Sequence, residues 1–197
     1  MTTTLYLVRH GQTLFNREHR IQGSSDSRLT KLGIKQVQAL RDYFDDRNIV
    51  FNKAYCSTQE RSSETLEILT NNELGYTRIK EIKARDYGFF EGRKKYLWPF
   101  RHFPVEPGVE GIHEVVERME RGMNLILRDI QDQDVILVVG HGDSMSQYLK
   151  RVVKVKKFNG FQNASFVKMV SDGQTLKYVD SAWPAQDVRI GLDEDAL

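Results

Sequence analysis

The sequence predicts an α/β fold: a three-layer sandwich with a mostly parallel sheet, an antiparallel edge strand and helices on both faces. Three observations predict it. Short apolar runs at residues 5–8 and 135–139 end in polar residues and a glycine, the pattern of buried strands. Between such runs lie stretches with apolar residues at helical spacing, and that alternation builds a parallel sheet covered on both faces. Residues 166–170 and 175–179, joined by Ser-Asp-Gly-Gln, read as a closing hairpin that adds an antiparallel strand at an edge.

Each element has its own signal. The first strand is Leu5-Tyr-Leu-Val8, followed by Arg9, His10 and Gly11. Residues 10–28 lack periodicity and are long for a simple connection, which marks a functional loop. Thr30 suits an N-cap, and Ile34, Val37, Leu40 and Phe44 follow it at helical spacing as core residues. Asn52 to Cys56 read as the second strand. Ser57-Thr-Gln-Glu60 has capping-box spacing and opens a helix with Arg61 in its first turn and Leu66 and Leu69 inward. Thr77 to Ile82 is a weaker strand candidate. Residues 93–111 are aromatic, basic and irregular, with three prolines, and read as an insertion covering a site. From Ile112 to Ile130 apolar residues recur as on a long amphipathic helix. Residues 134–140 form the strand leading to His141, and Met145, Leu149 and Val152 place a helix after it. Residues 1–184 make one domain, and a mobile tail is expected over 185–197.

Composition narrows the function classes. A chain of 197 residues buries a full core as one domain. With 29 basic and 27 acidic residues the net charge is +2, too balanced to point to nucleic acid or a membrane surface. No apolar stretch approaches a membrane span, and Met-Thr-Thr-Thr runs straight into the first strand, so no signal peptide is expected. The single cysteine, Cys56, reads as a core residue and has no internal partner. A cytoplasmic setting is the expectation.

The chemistry gathers at two strand ends. In open α/β sheets the carboxyl ends of strands bind ligands. There the sequence places Arg9-His10-Gly11 and Gly140-His141-Gly142. With 5 His and 14 Gly in the chain, a given His precedes Gly by chance about 7% of the time. Two such pairs, both after apolar strands, therefore single out His10 and His141. His19, His102 and His113 read as structural. Arg61, at a helix N-terminus, is unfavourable for the helix dipole and becomes sensible beside an anion. Its plain alternative is a surface ion pair with Glu60 or Glu64.

Arg9-His10-Gly11, then Ser57-x-x-x-Arg61-x-x-x-Thr65, then His141-Gly142 resemble the histidine phosphatase superfamily in its phosphoglycerate-mutase-like branch. The resemblance covers about residues 4–180. It implies a phosphoglycerate mutase-like fold and roles for Arg9, His10, Asn16, Arg61 and His141. His10, when neutral, attacks phosphorus and carries the phosphoryl group. Arg9 and Arg61 grip its oxygens, His141 donates a hydrogen bond to them, and Asn16 with the backbone at Gln22 and Gly23 completes the cradle. No metal-ligand set is apparent, and no cofactor is expected.

One position departs from the family pattern. Aligning Gly88 and Gly92 puts Ala84 where the proton-donating Glu belongs. Asp86, two residues on and on the same face of an extended chain, is the first substitute; Glu81 and Glu110 are others. The plain reading of Asp86 is a turn residue bonding its own backbone.

These readings favour a metal-independent hydrolase of small phosphomonoesters working through phospho-His10. A mutase is the nearest alternative, ranked lower because the chain is short for a closed, water-excluding site. A phosphate-ester binding protein weakened by Ala84 is the third. A small-molecule phosphate ester is the expected partner, with no nucleic acid or membrane, and a homodimer is compatible with this. Activity is expected to fall through about pH 5–7 as His10 takes up a proton.

Overall fold

The fold, obtained as a computed structural model, describes residues 2–95, 108–156, 158–173 and 175–190. Its six-stranded sheet has the order β3-β2-β4-β1-β5-β6. The strands are β1 (Thr3–Arg9), β2 (Lys53–Cys56), β3 (Thr77–Arg78), β4 (Val135–Gly140), β5 (Phe166–Ser171) and β6 (Leu176–Ala182). β1 pairs in parallel with β4, which pairs in parallel with β2, and β2 with β3. β5 runs antiparallel to β1, and β6 antiparallel to β5. The antiparallel edge is therefore two strands wide.

The helices are α1 (Leu14–Arg17), α2 (Lys31–Asp45), α3 (Glu60–Leu69), α4 (Ile112–Arg128) and α5 (Gly142–Arg151). Strand side chains alternate between faces, and β1 supplies both cores. Leu5 and Leu7 pack with Met119, Met123 and Ile126 of α4 and Leu149 of α5. Tyr6 and Val8 pack with Val37, Leu40 and Phe44 of α2 and Leu66 of α3. All four β1 residues are buried. Full burial of such side chains contributes about 1.5–3 kcal/mol each, which is why a central strand covered on both faces is uniformly apolar.

Several local expectations change. Thr30 caps α2 as predicted, accepting from the Gly33 N–H. Ser57 does not cap α3: Gln59 is the N-cap, and the Glu60 N–H is taken by the Asp26 carboxylate. The Ser57 hydroxyl is drawn instead to Gln59, Ser62 and His141. The third strand stops after Arg78, and Lys80–Ile82 forms a 3-10 turn that buries Ile82. The loop after β1 contains α1, capped by Thr13 and Asn16 in a reciprocal box. The expected tail does not begin at Ala185: Pro184–Asp187 is a 3-10 turn whose Ala185 is buried in the second core. Of the expected cover at 93–111, residues 96–107, including His102, lie outside the described residues. Lys94 and Val109, on either side of them, bridge to Arg20 and Tyr87.

Candidate active site

The parallel register of β1 and β4 sets Arg9 opposite Gly140, so His10 and His141 leave the sheet side by side. The His10 N–H donates to the Gly140 carbonyl at 3.2 Å, and the two rings lie 5.3 Å apart between centroids. β1 then runs to α2 on one face of the sheet, while β4 runs to α5 on the other. Chains that part in this way leave a crevice at the strand ends. Close backbone contact backs it. A Cβ on Gly11 would lie 2.7 Å from the Gly33 carbonyl oxygen, and one on Gly33 would lie 2.1 Å from that of Gln12.

His10 is 4% exposed, and its Nδ1 lies 2.8 Å from the Gly11 carbonyl oxygen. A carbonyl only accepts, so Nδ1 carries the hydrogen and Nε2 keeps the lone pair. Burial pushes the His10 pKa well below its ordinary value, and the charges of Arg61 and Arg9 push it further. The imidazole is neutral at neutral pH.

His141 is pinned differently. The Arg61 guanidinium donates to its Nδ1 at 3.2 Å. The hydrogen is therefore on Nε2, which lies 2.9 Å from Gln59 Oε1 and 2.7 Å from Ser57 Oγ. Both ring nitrogens are thus engaged by protein groups. Burial lowers its pKa strongly, aided by the charge of Arg61.

Arg61 links these parts. It is 1% exposed and donates to the Gly23 and Ser25 carbonyls at 2.8 and 3.0 Å. Its carboxylate partner is Asp26, at 2.8 Å. Glu60, one plain candidate for that pairing, bonds Arg78 instead. Arg61 Nε is buried with no hydrogen-bond partner among the described residues. Arg9 donates to the Phe161 carbonyl at 2.8 Å, and burial, with Arg61 nearby, lowers its pKa to about 10. It stays cationic at neutral pH.

Arg9, His10, Asn16, Gln22, Arg61 and His141 line one cavity of about 490 Å³. Gly23 does not line it; its carbonyl serves Arg61. Asn16 Oδ1 accepts from Asn163 Nδ2 at 3.0 Å, and the same amide donates to the His10 carbonyl at 3.1 Å. Asn163, with no motif to mark it, thus ties α1 to β1.

Ala84 lies on the cavity wall, but none of the carboxylates nominated to replace the missing Glu does. Asp86 accepts from the Gly88 N–H at 2.7 Å, the turn-residue arrangement. Glu110 is clamped by Arg118. Glu81 is not a lining residue. Among the described residues the lining carboxylate is Asp143, which sequence reasoning missed, although it follows directly on His141-Gly142. Further cations line the cavity as well: Arg20, Arg85, Lys95 and Lys150. Among the described residues no three His, Cys, Asp or Glu are placed to hold a metal ion, and no helix is long and apolar enough to cross a membrane.

The chain is similar to known proteins in sequence and in fold. At 28% identity over 174 residues, 80% of this chain and 82% of the relative, the sequence is similar to a 2,3-bisphosphoglycerate-dependent phosphoglycerate mutase of Rhizobium etli. At 26% over 155 residues, 76% of this chain and 77% of the relative, it is similar to a Bacillus subtilis protein named uncharacterized phosphatase PhoE. The fold is similar to that of a phosphoglycerate mutase from Bacillus anthracis, with a TM-score of 0.81, 24% identity and 95% of each chain covered. Residues 5–183 match the model of the histidine phosphatase superfamily, branch 1. From Leu5 in β1 to Trp183 after β6, the chain belongs to that superfamily, in its phosphoglycerate-mutase-like branch.

Proposed function

We propose that this protein is a phosphatase that hydrolyses small phosphomonoesters, without a metal ion, through a phosphohistidine on His10. The observation that carries the reading is the state of His10: a neutral, buried imidazole with Nδ1–H fixed on the Gly11 carbonyl and Nε2 left with its lone pair. In-line attack by Nε2 makes an N–P bond while the ester P–O bond breaks. The developing imidazolium keeps its hydrogen bond to Gly11. Arg9 and Arg61 meet the charge on the equatorial oxygens, preorganised by their hydrogen bonds to the Phe161, Gly23 and Ser25 carbonyls. A phosphoryl oxygen would also supply an acceptor for the buried Arg61 Nε–H; leaving such a donor unmatched costs about 1–3 kcal/mol. Water then takes the place of the leaving alcohol and frees His10.

A second reading, phosphoryl transfer between positions on a phosphorylated acid, is favoured by the name of the Rhizobium relative. Chain length, which first argued against it, no longer does, since the match spans 82% of that relative. Hydrolysis asks less of the site, because water is the only second acceptor required. The deciding assay follows inorganic phosphate release from p-nitrophenyl phosphate and the interconversion of 2- and 3-phosphoglycerate. Phosphate release that His10→Ala abolishes is the expected result. Interconversion faster than hydrolysis of either glycerate would replace the phosphatase reading with the mutase one. Phosphate binding without any turnover would leave only a binding protein.

A further inference from the structure

We infer that Asp143 handles the leaving-group proton, the task for which the position of Ala84 has no chemistry. The inference rests on the phosphohistidine reading of His10. Among the described residues Asp143 is the carboxylate lining the cavity. It stands in the first turn of α5, two residues after His141, and its side chain is about one-third exposed. Its place on the wall is fixed from the opposite side. The Tyr87 hydroxyl donates to Asp143 Oδ2 at 2.8 Å, and Tyr87 belongs to the segment that carries Ala84. Arg85 Nη1 approaches the same oxygen at 4.0 Å, and Gln147 Nε2 donates to the other oxygen at 3.2 Å. The Tyr87 hydroxyl and the Arg85 guanidinium thus meet the carboxylate from across the crevice, on the segment where the family's Glu would stand, while the Gln147 amide steadies it from within α5.

The proton bookkeeping follows from the ester. A phosphomonoester has its second ionisation near pH ~6, so a monoanion brings one proton with it. As Nε2 of His10 bonds to phosphorus, the ester P–O bond breaks and its electron pair stays on the leaving oxygen. Asp143 accepts the phosphoryl proton and delivers it to that oxygen, releasing a neutral alcohol. In the second step the carboxylate takes a proton from the attacking water. The new O–P bond forms, the P–N pair returns to His10, and the proton passes to the departing phosphate. Charge and protons balance in both steps, and Asp143 ends as it began. Tyr87 is a positioning residue that acts through Asp143.

The test compares leaving groups. General acid catalysis contributes about 10²–10⁴-fold, and it matters for an alkoxide far more than for p-nitrophenolate. Asp143→Asn should lower kcat for glycerol 2-phosphate by about 10²-fold or more while kcat for p-nitrophenyl phosphate falls only a few-fold. The retained aryl activity also reports an intact fold. Tyr87→Phe should show the same selectivity with a smaller loss. Equal losses on both esters, a change in KM alone, or no change would overturn the role of Asp143, as would a wild-type enzyme that cleaves aryl esters only. Aryl-ester hydrolysis that survives in His10→Ala would overturn the phosphohistidine reading, and this inference with it. The two failures are therefore distinguishable.

Discussion

Burial of two neutral imidazoles makes stability depend on pH in a way that can be calculated. In the unfolded chain His10 and His141 titrate near 6.5; in the folded protein both are held well below that. The unfolded state therefore binds more protons on acidification, so this contribution is complete above 6.5 and is lost as pH falls toward the folded values. The unfolded-state titration sets the ceiling: lowering the pH from about 7.5 to about 5.5 costs at most about 1.4 kcal/mol per histidine and about 2.7 kcal/mol for the pair, reached when both folded rings stay neutral throughout. That is a large share of a typical net stability of about 5–15 kcal/mol. Urea denaturation at the two pH values, in buffers free of phosphate, measures it. His10→Gln should remove about half of the pH-dependent loss. Carboxylates titrate alike in both proteins and cancel in the comparison, as does any fixed cost of the substitution. A variant with the full wild-type pH dependence would refute the claim that buried His10 is neutral. The same depression bears on the activity profile expected from sequence: the acid limb set by His10 shifts below the ordinary histidine range.

Two further outcomes are expected. Gly33→Ala forces a Cβ to 2.1 Å from the Gln12 carbonyl oxygen, so thermal denaturation should show a loss of about 1–3 kcal/mol, and the displaced loop should lower phosphate release; an unshifted melting temperature would count against the packing described. Asp26→Asn leaves the buried Arg61 without its carboxylate. The ligand-free protein should lose about 1–3 kcal/mol yet gain more stability from added phosphate than the wild type does, read by thermal shift; equal phosphate responses would show that Asp26 does not neutralise the anion site.

Much was legible because it is written in local patterns. Leu5–Val8 of β1 and Val135–Val139 of β4 are apolar runs because both faces are covered, and a buried run followed by His-Gly stands out in any reading. Arg9, His10, Asn16, Gln22, Arg61 and His141 were nominated from their neighbours in sequence and line one cavity. What failed was decided by competition between distant groups. Ser57 has the spacing of a cap, but His141 and Gln59 claim its hydroxyl, and Asp26 takes over at the helix end. Asp86 shares a face with Ala84 on an extended chain, but the turn at Gly88 binds its carboxylate.

The sequence by itself determined the central strands, the helices α2 to α5 and the two histidine-bearing strand ends, since hydrophobic period and turn chemistry act over a few residues. Only the tertiary structure decided which nitrogen of each imidazole holds the hydrogen, which acid neutralises Arg61 and which carboxylate reaches the cavity. Those depend on hydrogen bonds between groups 35 to 80 positions apart, Asp26 to Arg61 and Arg61 to His141, and no local pattern encodes such a choice.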